Sequence, residues 1–196
     1  MYAYIKGKIT FKSPTDIYLE TGGVGYHLQI SLNTYSEIEK LEEVSLFTHF
    51  HVKEDSQTLY GFFTKKEKEL FQLLISVSGI GPNTARIVLS SMKPEEVEKA
   101  ISYEDVLTFN KVKGIGPKTA KRIILDLKDK VTKNIDEKLI KVGANHNTNR
   151  NEALSALLAL GFPKNSVTKV LDKVVGNVEN EMNVEQIIKE VLKQLR

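Results

Sequence analysis

The sequence predicts a multidomain α+β protein: a β-barrel, then an all-α domain, then a small bundle of three helices. Three observations predict this order. Short runs of β-branched and aromatic residues fill the first 63 residues, apolar residues recur with a helical period after Phe63, and a polar stretch before Glu152 separates a further helical segment. A chain of 196 residues is long enough for two or three small domains.

The first domain, predicted at residues 1–63, contains five strands and one helical turn. The strands are expected at residues 5–11, 16–20, 26–30, 44–52 and 58–63. The glycine cluster at 22–25 predicts a turn or bulge, and residues 33–41 predict a short helical turn. Five short strands with one small helix favour a compact barrel, with the OB-fold as the leading candidate.

The second domain, predicted at residues 64–135, is built on an internal repeat. Shifting the chain by 35 residues places VSGIGPNTAR (77–86) over VKGIGPKTAK (112–121). A helix-forming stretch precedes each Gly-Ile-Gly, and apolar residues at helical spacing follow it. Each copy therefore predicts a helix, a tight hairpin and a second helix, which gives a double helix-hairpin-helix domain.

The two hairpins are predicted to bind the backbone of DNA. Glycine permits a sharp turn and lets backbone amides approach a phosphate oxygen closely. The free N–H groups and the positive dipole end of the following helix point to the same place. The predicted contacts are Gly79, Ile80, Gly81, Asn83 and Thr84 in the first hairpin, and Gly114, Ile115, Gly116, Lys118, Thr119 and Arg122 in the second. None of these residues indicates readout of base edges, so binding independent of sequence is expected.

The repeat also has other interpretations. A single Gly-x-Gly between helices is often only a tight connection, and tetratricopeptide-like units have a similar period, although two copies are too few for a solenoid. The charge distribution favours DNA. Residues 1–63 carry a net charge of −3, residues 64–131 of +4 and residues 132–196 of +2, and residues 111–130 hold seven basic groups against Asp126 and Asp129.

The last part of the chain predicts a tethered helical domain. Residues 136–150 are polar and almost without apolar anchors, which indicates a mobile linker. Residues 151–196 predict three helices, separated by Gly161-Phe162-Pro163 and Gly176-Asn177. Most apolar residues here are expected to fill the core of this domain. A small exposed part could dock a partner protein, and it is expected to include Val167, Val170 and Leu171.

Composition argues against several classes of protein. No run approaches the roughly 18 apolar residues of a membrane helix, the N-terminus lacks the layout of a secretory signal, and the chain has no cysteine. A cytoplasmic location is expected. The phosphate loop of an ATPase is missing, because the only Gly-Lys pair is Gly7-Lys8. His49 and His51 could share one face of a strand, but no third ligand is evident, so no metal, cofactor or catalytic residue is expected.

Short motifs along nearly the whole chain carry a family resemblance. In order, they are Gly22-Gly23-Val24-Gly25-Tyr26, Phe47-Thr48-His49-Phe50, Glu54-Asp55 followed by Leu59-Tyr60-Gly61-Phe62, the two Gly-Ile-Gly-Pro hairpins, Lys128-Asp129 and Ala159-Leu160-Gly161-Phe162. In this order the motifs resemble the RuvA family, the bacterial subunits that recognise Holliday junctions. The resemblance implies an OB-fold domain, a double helix-hairpin-helix domain and a tethered three-helix, UBA-like domain.

The resemblance also implies a role and partners. Four copies, or eight, would hold an open four-way DNA junction, the third domain would recruit the hexameric RuvB ATPase, and RuvC resolvase would join the same complex. The chain would then be a non-catalytic subunit of a branch-migration complex in recombination, DNA repair and the SOS response. Glu54 and Asp55 would form an acidic pin near the junction centre, where four pins repel phosphates.

Two features of the sequence qualify the resemblance. Asn83 stands where family members often carry a lysine, whereas Lys118 is present in the second hairpin, so the second hairpin is expected to contribute more of the charge. An alternative from the enzyme class is a structure-selective nuclease in which Glu54 and Asp55 hold a metal ion. Acidic residues at a turn are also commonly just solvated, so the role of this pair is a hypothesis.

Overall fold

The computed structural model describes residues 2–140, 145–176 and 182–195, apart from the side chains of residues 132–148. The strands are β1 (Tyr4–Lys12), β2 (Asp16–Thr21), β3 (Val24–Gln29), β4 (Glu43–Val52) and β5 (Gln57–Phe62). The helices are α1 (Leu32–Ile38), α2 (Lys65–Ile75), α3 (Pro82–Ser91), α4 (Pro94–Ser102), α5 (Val106–Asn110), α6 (Pro117–Ile140), α7 (Asn145–Ala159), α8 (Lys164–Gly176) and α9 (Val184–Gln194). None of the helices in this part of the chain is long and apolar enough to cross a membrane.

The five strands form a closed barrel in the order β1-β2-β3-β5-β4. Strand β3 pairs with β5 in parallel, and the other neighbouring strands are antiparallel. Apolar side chains fill the interior, where they form a cluster of Ile5, Ile17, Leu19, Leu28, Ile30, Ile38, Val44 and Leu46. Helix α1 lies between β3 and β4 in the chain. The predicted OB-fold barrel is therefore confirmed, with strand ends shifted by one or two residues.

The helices α2 to α6 form two helix-hairpin-helix units, α2–α3 and α5–α6, with α4 between them. The predicted double helix-hairpin-helix domain is confirmed. The barrel and these helices belong to one compact unit, Met1–Lys133. Its division into two domains at 63/64 stays a prediction.

The second compact unit, Asn134–Arg196, contains the three predicted C-terminal helices. Their buried side chains form one core of Ala153, Leu157, Val167, Leu171, Val174, Ile187 and Val191. Asn183 caps α9: its side chain accepts from the Gln186 backbone at 2.9 Å, and the Gln186 side chain accepts from the Asn183 backbone at 3.0 Å. The three-helix fold of this unit is confirmed.

The stretch predicted as a mobile linker, residues 136–150, is partly helical. Helix α6 continues to Ile140 and α7 begins at Asn145, while residues 141–144 lie outside the described residues. Propagating an existing helix needs one hydrogen bond per residue and no apolar face, so a polar composition does not stop it. A flexible tether at this point stays a prediction.

Two of the three predicted docking residues are in the wrong place for that role. Val167 and Leu171 are completely buried, and Val170 is partly buried against the same core. The reason is the helical period, because positions 167, 171 and 174 form the stripe of α8 that packs into the three-helix core. The prediction that Val167 and Leu171 are exposed was wrong.

Candidate nucleic-acid interface

The two Gly-Ile-Gly hairpins have the same backbone conformation. Gly79 has φ of 90° and Gly114 has φ of 88°, a region that residues with a Cβ adopt only with strain. The amides of Ile80 and Ile115 each donate to the carbonyl three residues earlier, at 3.0 and 3.1 Å. Both isoleucine side chains are only 5% exposed. Each isoleucine therefore anchors its hairpin, and the glycine before it supplies the turn.

The helices that follow the hairpins present free backbone donors. Pro82 and Pro117 occupy the first helical position, where a missing N–H removes no helical hydrogen bond. The first helical bonds close from Ala85 at 3.0 Å and from Ala120 at 2.9 Å, to the carbonyls four residues earlier. Within the described residues, no acceptor takes the preceding amides of Gly81, Asn83, Thr84, Gly116, Lys118 and Thr119. These two matched sets of donors suit a phosphate oxygen.

The second glycine of each hairpin has no role in the packing of the protein. Gly81 has φ of −87°, which any residue adopts, and a Cβ added at Gly81 or Gly116 would meet no atom within 4 Å in the part of the chain that the structure describes. The space in front of these amides is open. A glycine here keeps that space clear for a ligand that approaches the backbone.

The second hairpin carries a cluster of exposed cations. Lys113, Lys118 and Lys121 are exposed, and the described residues supply no ion pair for any of them. Lys113 and Lys121 were absent from the predicted contacts. The repeat itself offered the signal, since Lys113 precedes Gly114 where Ser78 precedes Gly79. The expectation that the second hairpin is the more basic one agrees with this arrangement.

Arg122 connects the two hairpins. It is exposed on the second turn of α6, and its Nη1 donates to the carbonyl of Ser78 at 3.3 Å, next to Gly79 of the first hairpin. The residue predicted to bind phosphate beside the second hairpin therefore also supports the first. The remaining N–H groups of the guanidinium stay available to an anion.

The first hairpin has little positive charge of its own. Asn83 is exposed and uncharged at the position equivalent to Lys118, and Ile87 stands at the position of Arg122. Arg86, equivalent to Lys121, donates instead to the Thr15 carbonyl of the barrel at 3.3 Å. This hairpin offers backbone amides more than charge.

The acidic pair predicted as a pin lies at the tip of the β4–β5 hairpin. Glu54 and Asp55 are exposed in a four-residue loop that the amide of Lys53 closes by donating to the Ser56 carbonyl at 2.8 Å. The hydroxyl of Ser56 donates to Asp55 at 3.3 Å. Two carboxylates thus project from the end of a two-stranded ribbon.

The histidines on β4 do not form a metal centre in the part of the chain that the structure describes. No group of three metal-ligating side chains occurs there. The ring of His49 packs 5.4 Å from that of Phe71, and burial lowers the pKa of His49 below its ordinary value, with a smaller contribution from His51. His49 therefore belongs to the contact between the barrel and α2.

Comparison with known proteins gives a consistent answer along the chain. Family models match three segments: "RuvA N terminal domain" at residues 1–61, "SAM-like Helix-hairpin-helix tandem" at 71–129 and "RuvA, C-terminal domain" at 148–196. A relative from Christiangramia forsetii is 51% identical over 195 residues, with 100% of both chains covered.

Two further relatives agree with the first. One from Cytophaga hutchinsonii is 47% identical, with 98% of this chain and 99% of the relative covered. Another from Geobacter sulfurreducens is 41% identical, with 100% of this chain and 99% of the relative covered. All three relatives bear the name "Holliday junction branch migration complex subunit RuvA".

Proposed function

The chain belongs to the RuvA family, and from this membership we propose that it binds four-way junction DNA as the non-catalytic subunit of a branch-migration complex. The observation that carries the proposal is the matched pair of hairpins, each with free amides facing open space. Phosphate oxygens accept from such amides whatever the base sequence, so recognition is by DNA structure.

The two hairpins contribute in different ways. Each binds phosphate through backbone N–H groups at the start of α3 or α6. Lys113, Lys118 and Lys121 add positive charge at the second hairpin, where they neutralise phosphates and release counterions from the DNA. The residues predicted from the sequence, including Thr84, Thr119 and Arg122, remain proposed contacts of this surface.

Selection of the junction requires more than one copy of the chain. We place the acidic pair, Glu54 and Asp55, near the point where the four DNA arms meet in a homotetramer, with an octamer as the larger assembly. Carboxylates from four copies repel phosphates there and keep the strands apart. The support is the exposure of both side chains at the tip of a hairpin.

The C-terminal unit is proposed to recruit the motor, the RuvB ATPase, and RuvC resolvase is proposed to join the assembly. The apolar side chains of this unit that reach the surface include Leu158, Leu160, Val175 and Leu192, with Leu160 the most exposed at 62%. These residues replace the buried Val167 and Leu171 as docking candidates. A cytoplasmic location stays a prediction.

A gel-shift assay tests the junction-binding function. A four-way junction and a linear duplex of equal length are titrated with the protein, with and without Mg²⁺. We expect tight, junction-selective binding without cleavage. Equal affinity for the two DNAs would contradict the proposal, and Mg²⁺-dependent nicking would support the nuclease alternative.

Deleting residues 151–196 tests the division of labour. The truncated chain should bind the junction as the full chain does, but it should no longer stimulate the ATPase activity of RuvB. Loss of junction binding would contradict the assignment of the motor contact to this unit.

A further inference from the structure

Consecutive residues at the start of α1 join the barrel to the first helix-hairpin-helix unit. The hydroxyls of Ser31 and Thr34 both donate to the carboxylate of Glu67 in α2, the second at 2.7 Å. The amide of Leu32 donates to the hydroxyl of Ser90 in α3 at 3.1 Å. These bonds link residues at least 33 positions apart in the chain.

Asn33 completes this set of contacts at the same C-terminal end of α3. Its Nδ2 donates to the carbonyls of Leu89 and Met92, at 2.5 and 2.9 Å. Both carbonyls belong to the end of α3, where backbone acceptors lack helical partners. One side chain of the barrel domain therefore caps the helix that follows the first hairpin.

The opposite end of α1 is tied to the barrel. The ammonium of Lys12 in β1 donates to the carbonyls of Ile38 and Leu41, at 3.3 and 3.0 Å. Helix α1 is thus held by β1 at its C-terminal end and by α2 and α3 at its N-terminal end. A short helix fixed at both ends transmits the position of the strands to the helices.

The carboxylate in this network is deeply buried. Glu67 is 2% exposed, and its burial raises its pKa above the ordinary value, although the hydrogen bonds from Ser31 and Thr34 oppose that rise. Thr34 also accepts from the amide of Phe63 at 3.0 Å. A shift of α1 relative to α2 would leave these buried polar groups without partners, which is costly, so the network opposes such a shift.

The network reaches only one of the two DNA-binding units. Among the described residues, the hydrogen bonds that join the barrel to the helical domain all end on α2, on α3 or on Met92, which follows α3 directly. The first hairpin is therefore fixed relative to the barrel that carries the acidic pair. The second hairpin is reached from the first, through Arg122 and Ser78.

We propose that residues 31–34 and Glu67 form an interdomain clamp that sets the position of the first hairpin relative to the acidic pair, and that this position determines selection of a junction over a duplex. The inference rests on the proposed function. Its physical reason is that phosphates are alike in the two DNAs, so only the placement of amides and carboxylates can distinguish them. Clamp residues are positioning residues and touch no DNA.

Two substitutions weaken the clamp from different sides. Asn33→Ala removes both bonds to the end of α3, and Thr34→Val removes a donor to Glu67 with little change of volume. Ser36→Ala is the matched control, because the Ser36 hydroxyl bonds only within α1, to the Leu32 carbonyl at 2.9 Å. We expect each clamp variant to lower the ratio of junction to duplex affinity about fivefold to tenfold, the factor for about one lost net hydrogen bond. Duplex affinity and the Ser36→Ala ratio should not change.

A distance measurement without DNA tests the clamp itself. The chain has no cysteine, so Asp55→Cys and Ser78→Cys introduce the only two sites for spin labels. Labelled chains are mixed with an excess of unlabelled chains. Pulsed electron paramagnetic resonance then measures the distance between the two spin labels of one chain. We expect one narrow distribution in the otherwise unchanged protein and a broader or shifted one with Asn33→Ala or Thr34→Val, in folded protein as judged by circular dichroism.

The two measurements separate failure of the clamp from failure of the proposed function. An unaltered protein that does not prefer the junction overturns the proposed function. A protein that prefers the junction, with clamp variants that keep both the affinity ratio and the narrow distribution, overturns the clamp. An unchanged ratio despite a broadened distribution overturns its role in selection. Equal losses of junction affinity and duplex affinity in the clamp variants would also overturn its role in selection.

Discussion

The two hairpins are alike in backbone and different in surroundings. Their glycines have φ of 90° and 88°, and equivalent amides bond at nearly equal distances. The first hairpin has Asn83 where the second has Lys118, and its Arg86 is turned to the barrel. The first is fixed by α1, whereas the second carries exposed lysines.

This difference shows that a repeated backbone can serve two purposes. The amides of both hairpins suit phosphate equally, because that function depends on main-chain geometry. The side chains give the two hairpins different roles. Those around the first hairpin fix its position, and those of the second supply positive charge.

The shared backbone geometry is tested by Gly79→Ala and Gly114→Ala. Each substitution forces a Cβ into the left-handed region and should lower the free energy of unfolding by about 1–2 kcal/mol, equally at the two positions. Junction affinity should fall about tenfold or more for each, because the amides no longer meet phosphate in the same geometry. Thermal unfolding and fluorescence anisotropy measure the two effects.

Gly176→Ala serves as the control for these substitutions. Gly176 ends α8, and a Cβ there meets no atom of the described residues within 4 Å, so the change should be neutral or slightly stabilising. Unchanged DNA affinity in folded Gly79→Ala and Gly114→Ala would contradict the role of the hairpin amides.

The unequal charge of the hairpins is tested by Lys118→Ala and Asn83→Lys. The slope of log affinity against log salt should become shallower by about 0.9 with the first and steeper by about 0.9 with the second, since one phosphate contact is lost or gained. Lys164→Ala, in the C-terminal unit, should leave the slope unchanged. A slope that does not respond to Lys118→Ala would show that this lysine does not neutralise phosphate.

The link between the hairpins is tested by Arg122→Ala. Loss of the exposed bond to the Ser78 carbonyl should lower the free energy of unfolding by less than about 1 kcal/mol. Amide hydrogen exchange at Ile80 should become faster, while exchange at Ile115 should stay the same. Arg122→Lys keeps the positive charge and is the control, in which the salt dependence of DNA binding should not change. Equal exchange at Ile80 in the unaltered protein and in both variants would argue against support of the first hairpin by α6.

The smallest effect concerns the buried carboxylate beside the first hairpin. The pKa of Glu67 is raised in the folded protein, so its contribution to stability is complete below the ordinary value of 4.5 and is lost as pH rises through the folded pKa. Glu67→Gln should therefore flatten the decline of the free energy of unfolding above pH 4.5, measured by denaturant titration. Glu69→Gln, at a partly exposed site on the same helix, is the control. An unaltered profile in Glu67→Gln would contradict the raised pKa.

Local patterns in the sequence predicted most of the fold. The barrel strands follow from β-branched and aromatic runs, and the turn before β3 follows from Gly22-Gly23, whose φ values of 58° and 79° suit a two-residue hairpin. The repeat at 35 residues predicted both hairpins, because their geometry depends on glycine and proline at fixed positions. In each case the determining residues are neighbours in the chain.

The missed features depend on residues distant in the chain. The Arg122–Ser78 bond spans 44 positions and the Arg86–Thr15 bond spans 71, and no local pattern indicates either. The period of α8 identified an apolar stripe but not which part of it faces outward, so Val167 and Leu171 were placed on the surface. The polar composition near residue 145 gave no sign of the helix found there, because this part of the helix has no apolar residues at helical spacing.

The contacts of α1 also bear on how this protein can be recombined with its relatives. A chimera joined at residues 63/64 would pair the residues 31–34 of one parent with the Glu67 and α3 of the other, and any mismatch would leave buried polar groups unpaired. A chimera joined after α3, for example at residues 92/93, would take both sides of these contacts from the same parent. The natural unit of exchange thus includes the barrel and the first hairpin, although a helical domain and a barrel meet inside it.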